Sequence, residues 1–185
     1  MLEDALFALW FLLPAAAANV APIFSAVLPY VKNWQTPIDG GLSFRGKRIL
    51  GSHKTWRGVV SGFIIAWAVV LVEQFIAQNT QWGSSIVDGT RYLDMPSGIL
   101  AVIFTIGALG GDALKSFFKR QLGVEPGRSW FPFDQIDYIL GTIMVTLPFI
   151  VLPLAQYVWI FIIWTGIHLL VSYAGWRVGL KERPI

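Results

Sequence analysis

The feature that most constrains this chain is a series of long apolar runs, at about residues 5–31, 59–76, 96–111, 138–154 and 157–174, separated by polar segments. A bilayer core of about 30 Å is crossed by about 20 residues of helix, and inside it every backbone group must be paired within the segment. The expected fold is therefore an all-α polytopic membrane protein with five transmembrane helices in a single domain, 1–185. Composition supports this: 55% hydrophobic and 14% charged residues at a mean hydropathy of +0.61 exclude a soluble domain of this size. With no cysteine, disulfides, thiolate metal sites and a cysteine nucleophile are excluded.

The first run follows an acidic start, MLED, where a secretory signal would be basic, so it is expected to stay as a span. Pro14, Pro22 and Pro29 lie within it and predict a kinked or broken helix. Asn19 beside them is either interhelical glue, the favoured reading, or part of a lipid-substrate cavity wall. Lys and Arg are distributed unevenly: six lie in 32–57, four in 115–128 and three in the tail, against Arg91 alone in the loop between spans two and three. The positive-inside rule then places the N-terminus outside, the C-terminus in the cytoplasm, and both motif-bearing loops on the cytoplasmic face.

The densest charge lies in Gly110–Asp137, GGDALKSFFKRQLGVEPGRSWFPFDQID. At about 100° per residue, Asp112, Ser116, Lys119 and Gly123 share one narrow helical face. Asp134 and Asp137, three apart, would be helical neighbours roughly 5–6 Å from each other. Carboxylates crowded in this way call for a cation, and Mg²⁺ suits one or two of them completed by water and phosphate oxygens, so Asp112, Asp134 and Asp137 are the candidate metal ligands. Lys119 and Arg120 supply cations for phosphate, with Asp112, Lys119 and Asp137 as the catalytic set.

In the basic loop, Lys54, Thr55 and Arg57 are the phosphate-binding candidates, whereas Arg45, Lys47 and Arg48 suit headgroup attraction or loop positioning. The glycines there do not form a P-loop, because Ser52 and His53 separate Gly51 from Lys54. On span three, Ala101, Thr105 and Ala108 share the face of Asp112, a small-residue stripe suited to close packing, the favoured reading, or to an acyl-chain groove. Nucleotidyl transfer at the membrane boundary fits these features best: a lipid phosphate oxygen attacks the α-phosphorus of a nucleoside triphosphate and pyrophosphate leaves. The alternative is a small transporter or channel using the boundary carboxylates. Nucleic acid is not an expected partner, and a homodimer is left open.

GDALKSFFKR followed by DQID resembles the signature of membrane CTP:phosphatidate cytidylyltransferases at Gly111, Asp112, Ser116, Lys119, Arg120, Gly127, Asp134 and Asp137. It departs from that signature at Phe131–Phe133, where the family has His-Gly-Gly, and after Arg120, where the family's Lys-Asp is missing. AAAANVAP, PIDGGLSFRGKRILGSHKTWRG, the block ending in DQID and the tail LKERPI resemble the archaeal branch of that superfamily, the CDP-archaeol synthases, along almost the whole chain. The resemblance implies a five-helix cell-membrane enzyme, with its active site facing the cytoplasm, that condenses CTP with an isoprenoid glycerol-phosphate lipid, unsaturated archaetidic acid, using Mg²⁺. It implies Gly111, Ser116 and Arg120 as nucleotide- or phosphate-binding residues.

Overall fold

A computed structural model describes residues 2–124 and 128–179; Gly127 and the LKERPI tail lie outside them. Six helices follow in chain order: α1 Leu2–Ser25, α2 Trp56–Asn79, α3 Gln81–Val87, α4 Ser97–Gln121, α5 Phe133–Thr146 and α6 Leu154–Arg177. Of these, α1, α2, α4 and α6 are long and apolar enough to cross a membrane. Large apolar side chains such as Ile64, Phe75, Ile106 and Leu170 remain exposed on their outer faces, as lipid-facing surfaces require.

The first and fourth spans differ from expectation. Helix α1 is continuous through Pro14 and Pro22 and stops at Ser25, so 26–31 of the apolar run form turns instead. Helix α5 has only 14 residues, about 21 Å at 1.5 Å per residue, and is too short alone to cross about 30 Å of hydrocarbon. Pro148 ends it by lacking the N–H that would continue the ladder, with Leu147 before it still helical at φ −52° and ψ −40°, and 150–153 run without regular structure up to Pro153. Helix α3 lies in the loop between spans two and three, capped by Thr80 Oγ1 accepting from the Gly83 amide at 3.0 Å.

Helix α1 packs against α2, α4 and α6, while α4 and α5 form the most extensive helix pair. Phe7, Phe11, Leu12, Leu100, Phe104, Ile139 and Ile160 are fully buried between these helices. Phe11 meets Phe104 edge-on at 5.4 Å, and Trp164 Nε1 donates to Ala8 O at 2.7 Å, tying α6 to α1. The charge inside the second span, Glu73, is buried and accepts from the Tyr92 hydroxyl. Burial, followed by the neighbouring Glu73 charge, pushes the Tyr92 hydroxyl well above its ordinary pKa.

Ala101, Thr105 and Ala108 are buried in this core, and Thr105 Oγ1 donates to Ala101 O at 2.7 Å. The stripe is a packing surface, which corrects the lipid-facing role considered for it: the helix turns this face toward its neighbours rather than the bilayer.

Candidate active site

Glycines determine how closely α4 and α5 approach. A Cβ on Gly111 would run into the Asp137 carbonyl, one on Gly107 would lie 2.6 Å from Thr142 Cα, and one on Gly141 would collide with Gly107 O. Without side chains at these crossings, α5 lies directly on α4 and its first turn stands beside Asp112. Gly111, expected to bind phosphate, is therefore a packing glycine in this structure.

The close approach gathers three carboxylates around one ammonium. Lys115 Nζ lies 3.1 Å from Asp112 Oδ1, 2.9 Å from Asp134 Oδ1 and 2.6 Å from Asp137 Oδ2. Lys54, from the basic loop, pairs with the other oxygen of Asp112. Lys119 Nζ is 3.1 Å from both oxygens of Asp134 and donates to Arg128 O at 2.6 Å. Backbone amides fix the remaining lone pairs: Trp130 N donates to Asp134 Oδ2 at 2.6 Å and Tyr138 N to Asp137 Oδ1 at 2.7 Å. Three aspartates thus face three lysines, so the cluster carries no formal net charge.

Lys115 was missed by the sequence reading, which singled out Lys119 because it falls closer to Asp112 on the helical wheel. The available signal was the three-residue spacing of Asp112 and Lys115, an ordinary helical salt-bridge spacing. Ser116 Oγ donates to the Asp112 backbone carbonyl at 2.8 Å. Neither Ser116 nor Arg120 is among the residues that line the cavity.

That cavity, of about 650 Å³, is bounded by Lys54, Asp112, Lys115, Asp134 and Asp137, with Asn19, Thr55, Arg57 and His168 also on its walls. Asn19 therefore faces the cavity rather than serving only as helix glue. His168 lines it from α6. Thr55 is buried and caps α2, its hydroxyl accepting from Gly58 N at 3.3 Å.

The basic loop is held in place by its single acid. Asp39 accepts from the Gly41 amide at 3.0 Å, the Leu50 amide at 2.9 Å and Arg48 at 3.1 Å. Burial alone would raise its pKa; the two amides and the guanidinium outweigh that and hold it below the ordinary value. Strands β1 Ser43–Phe44 and β2 Lys47–Arg48 form a small hairpin with Ser43 opposite Arg48. Its turn residues Arg45 and Gly46 both have positive φ, at 52° and 75°, as a type I′ turn requires. Lys47 Nζ donates to Gln121 O at 2.7 Å, fastening the hairpin to the end of α4.

Among the described residues, no three acidic or histidine side chains stand close enough together to hold a metal ion unaided. The donor set nevertheless suits a divalent ion bound by one or two carboxylates and completed by phosphate oxygens, because three aspartates already converge on a cation, the Lys115 ammonium.

The sequence profile of the CarS-like CDP-archaeol synthases matches residues 1–185. The chain belongs to this family. It is 30% identical over 184 residues to the CDP-archaeol synthase of Thermococcus onnurineus, covering 99% of this chain and 98% of that protein. The enzyme of the same name from Methanoculleus marisnigri is 36% identical over 158 residues, covering 80% and 89% of the two chains. A solved structure described as an intramembrane enzyme for archaeal membrane lipid biosynthesis superposes with a TM-score of 0.67 at 27% identity, covering 91% of each chain. Membership makes the chain a multi-pass membrane enzyme of the cytidylyltransferase class, and the transporter alternative falls with it.

Proposed function

We propose that the cavity bounded by Asp112, Lys115, Asp134, Asp137 and Lys54 transfers CMP from CTP to the phosphate of an isoprenoid glycerol ether lipid, giving a CDP-lipid and pyrophosphate. The observation that carries this reading is the convergence of three carboxylates and two lysines from α4, α5 and the basic loop in one cavity. A lipid phosphate oxygen forms the new P–O bond at the α-phosphorus while the bond to the β-phosphate oxygen breaks, so no protein nucleophile is needed. The charge balance of the cluster shapes how substrates bind. A polyanion gains little from a neutral cluster, so Lys54 and Lys115 exchange carboxylate partners for phosphate oxygens, and Asp112 and Asp137 are released for a divalent cation. Mg²⁺ held there would neutralise charge developing on the departing pyrophosphate. Lys119 and the Trp130 amide keep Asp134 oriented as a neighbouring or alternate ligand, and Arg57 adds positive charge to the cavity wall.

The reading includes orientation: the short α5 and the irregular 147–153 together make the fifth crossing, and the cavity opens to the cytoplasm. The uneven placement of Lys and Arg supports this. The test is pyrophosphate release by the purified protein given CTP and geranylgeranylated glycerol phosphate. Release that requires both substrates and added Mg²⁺ is expected. Equal release with the lipid alcohol in place of the lipid phosphate, or undiminished release in excess chelator, would overturn the proposal.

A further inference from the structure

A second cavity, an apolar groove of about 570 Å³, lies beside the polar one between α1 and α2. This is within the usual range of ligand pockets, about 300–1,000 Å³. Val20 and Phe24 of α1, with Val60, Ile64 and Ile65 of α2, form its walls. The last turns of α1 separate the two spaces, since Asn19 and Pro22 face the polar cavity while Val20 and Phe24 face the groove. Arg57 lines both. Its Nη1 donates to Lys32 O at 2.8 Å, and its Nε is buried with no hydrogen-bond partner among the described residues. A buried guanidinium N–H without an acceptor is costly, and at the mouth of a phosphate-binding cavity a phosphate oxygen would satisfy it.

Away from Arg57, the groove walls offer little to a polar ligand. Its two hydroxyls are engaged within the protein: Ser61 Oγ donates to Ser25 Oγ at 3.2 Å and lies 3.1 Å from Gly58 O, while Ser25 Oγ donates to Pro22 O at 3.0 Å. Apart from Arg57 and the Trp34 indole the remaining lining is apolar, and Val20, Phe24, Ile64 and Ile65 are exposed on the outer face of the helices. A hydrocarbon chain with a terminal phosphate fits both the groove and its end.

We infer that one chain of the lipid phosphate lies in the α1–α2 groove and that Arg57 grips its phosphate at the point where groove and cavity meet. This inference rests on the cytidylyl-transfer reading and deepens it, assigning the lipid to the α1–α2 side and leaving the triphosphate to Lys54, Lys115 and the carboxylates. Burying the chain in this groove lets the phosphate enter the polar cavity without drawing hydrocarbon into water.

Two measurements on the full-length protein in lipid nanodiscs test it. In the first, a lipid phosphate carrying a diazirine midway along one isoprenoid chain is photolysed and the labelled residues are mapped by mass spectrometry. Label is expected on 20–28 and 60–65, reduced about tenfold by excess unlabelled lipid phosphate but not by the matching lipid alcohol, because only the phosphate engages Arg57. Label spread evenly over the exposed faces of α4 and α6, or displaced equally by the alcohol, would show ordinary bilayer contact and overturn the inference. In the second, V20W and I64W place bulk in the groove at exposed positions. The ratio of KM for a short-chain analogue to KM for the long-chain substrate should fall about tenfold, the loss expected when about two methylenes are displaced. An unchanged ratio in both variants overturns the groove assignment. The two readings fail separately: absence of pyrophosphate release by the wild-type protein defeats cytidylyl transfer, whereas groove labelling is read without turnover.

Discussion

Lys115, on the fourth helix, reaches across to the fifth and places its ammonium 2.6 Å from Asp137 Oδ2. This pair joins the two helices at the floor of the cavity, and Lys115 compensates Asp112 and Asp134 at the same time.

Replacing Lys115 by Met should therefore harm both the fold and the chemistry. Breaking a largely buried pair costs about 3–5 kcal/mol because the partner charge is left uncompensated. Thermal unfolding of K115M in detergent should show a marked loss of stability, and the double variant K115M/D137N should recover a large part of it. Pyrophosphate release should stay abolished in both. Full stability of K115M would show that the carboxylates are compensated in another way.

For Asp112 and Asp137 the loss should fall mainly on the chemistry. D112N and D137N preserve shape and each leave Lys115 two other carboxylates, so membrane insertion should persist and the melting temperature should fall less than in K115M. If these carboxylates act on the transition state, turnover should drop by about 10² or more, equivalent to about 2.7 kcal/mol of barrier. Near-native turnover in both variants would remove them from the catalytic set.

Gly110 and Gly111 provide a matched pair on one helix. A Cβ at Gly110 meets nothing within 4 Å, whereas one at Gly111 collides with the Asp137 carbonyl. G111A should force α5 away from α4, destabilise the protein by about 1–3 kcal/mol and lower activity as Lys115 loses its grip on Asp137. G110A should behave like wild type in both assays. Similar behaviour of the two variants would argue against close helix contact as the device that assembles the site.

Asp39 links the basic loop to pH. Its folded pKa lies below the ordinary 3.8, so its contribution to loop order is fully present above that value and is lost as pH falls through the lower folded value. At neutral pH the carboxylate is ionised and D39N should mimic its loss. Trypsin should then cut after Arg45, Lys47 or Arg48 about tenfold faster than in the wild-type protein, as expected for about 1.4 kcal/mol of local destabilisation. Equal cleavage rates would place the order of the loop elsewhere.

Local patterns gave correct expectations wherever a property depends on one segment alone. Apolar length located α2 and α6 to within three residues at each end and the start of α4, whose far end runs ten residues beyond the expected 111 into the charged block, and the crowding of Asp112, Asp134 and Asp137 in that block was visible before their partner was. Pro148 carried the signal that α5 would end early, a signal the expected span of 138–154 did not use. What tertiary packing alone decided was which charges meet. Lys115 and Lys119 are both available to Asp112 on a helical wheel, and neither is marked by spacing as the one that faces the second carboxylate pair. The choice depends on where α5 crosses α4, which the missing side chains of Gly107, Gly111 and Gly141 determine by letting two backbones touch. The same packing buried Ala101 and Ala108 and left the α1–α2 side open, because a small-residue stripe satisfies a neighbouring helix and a lipid chain equally well until the neighbours are in place.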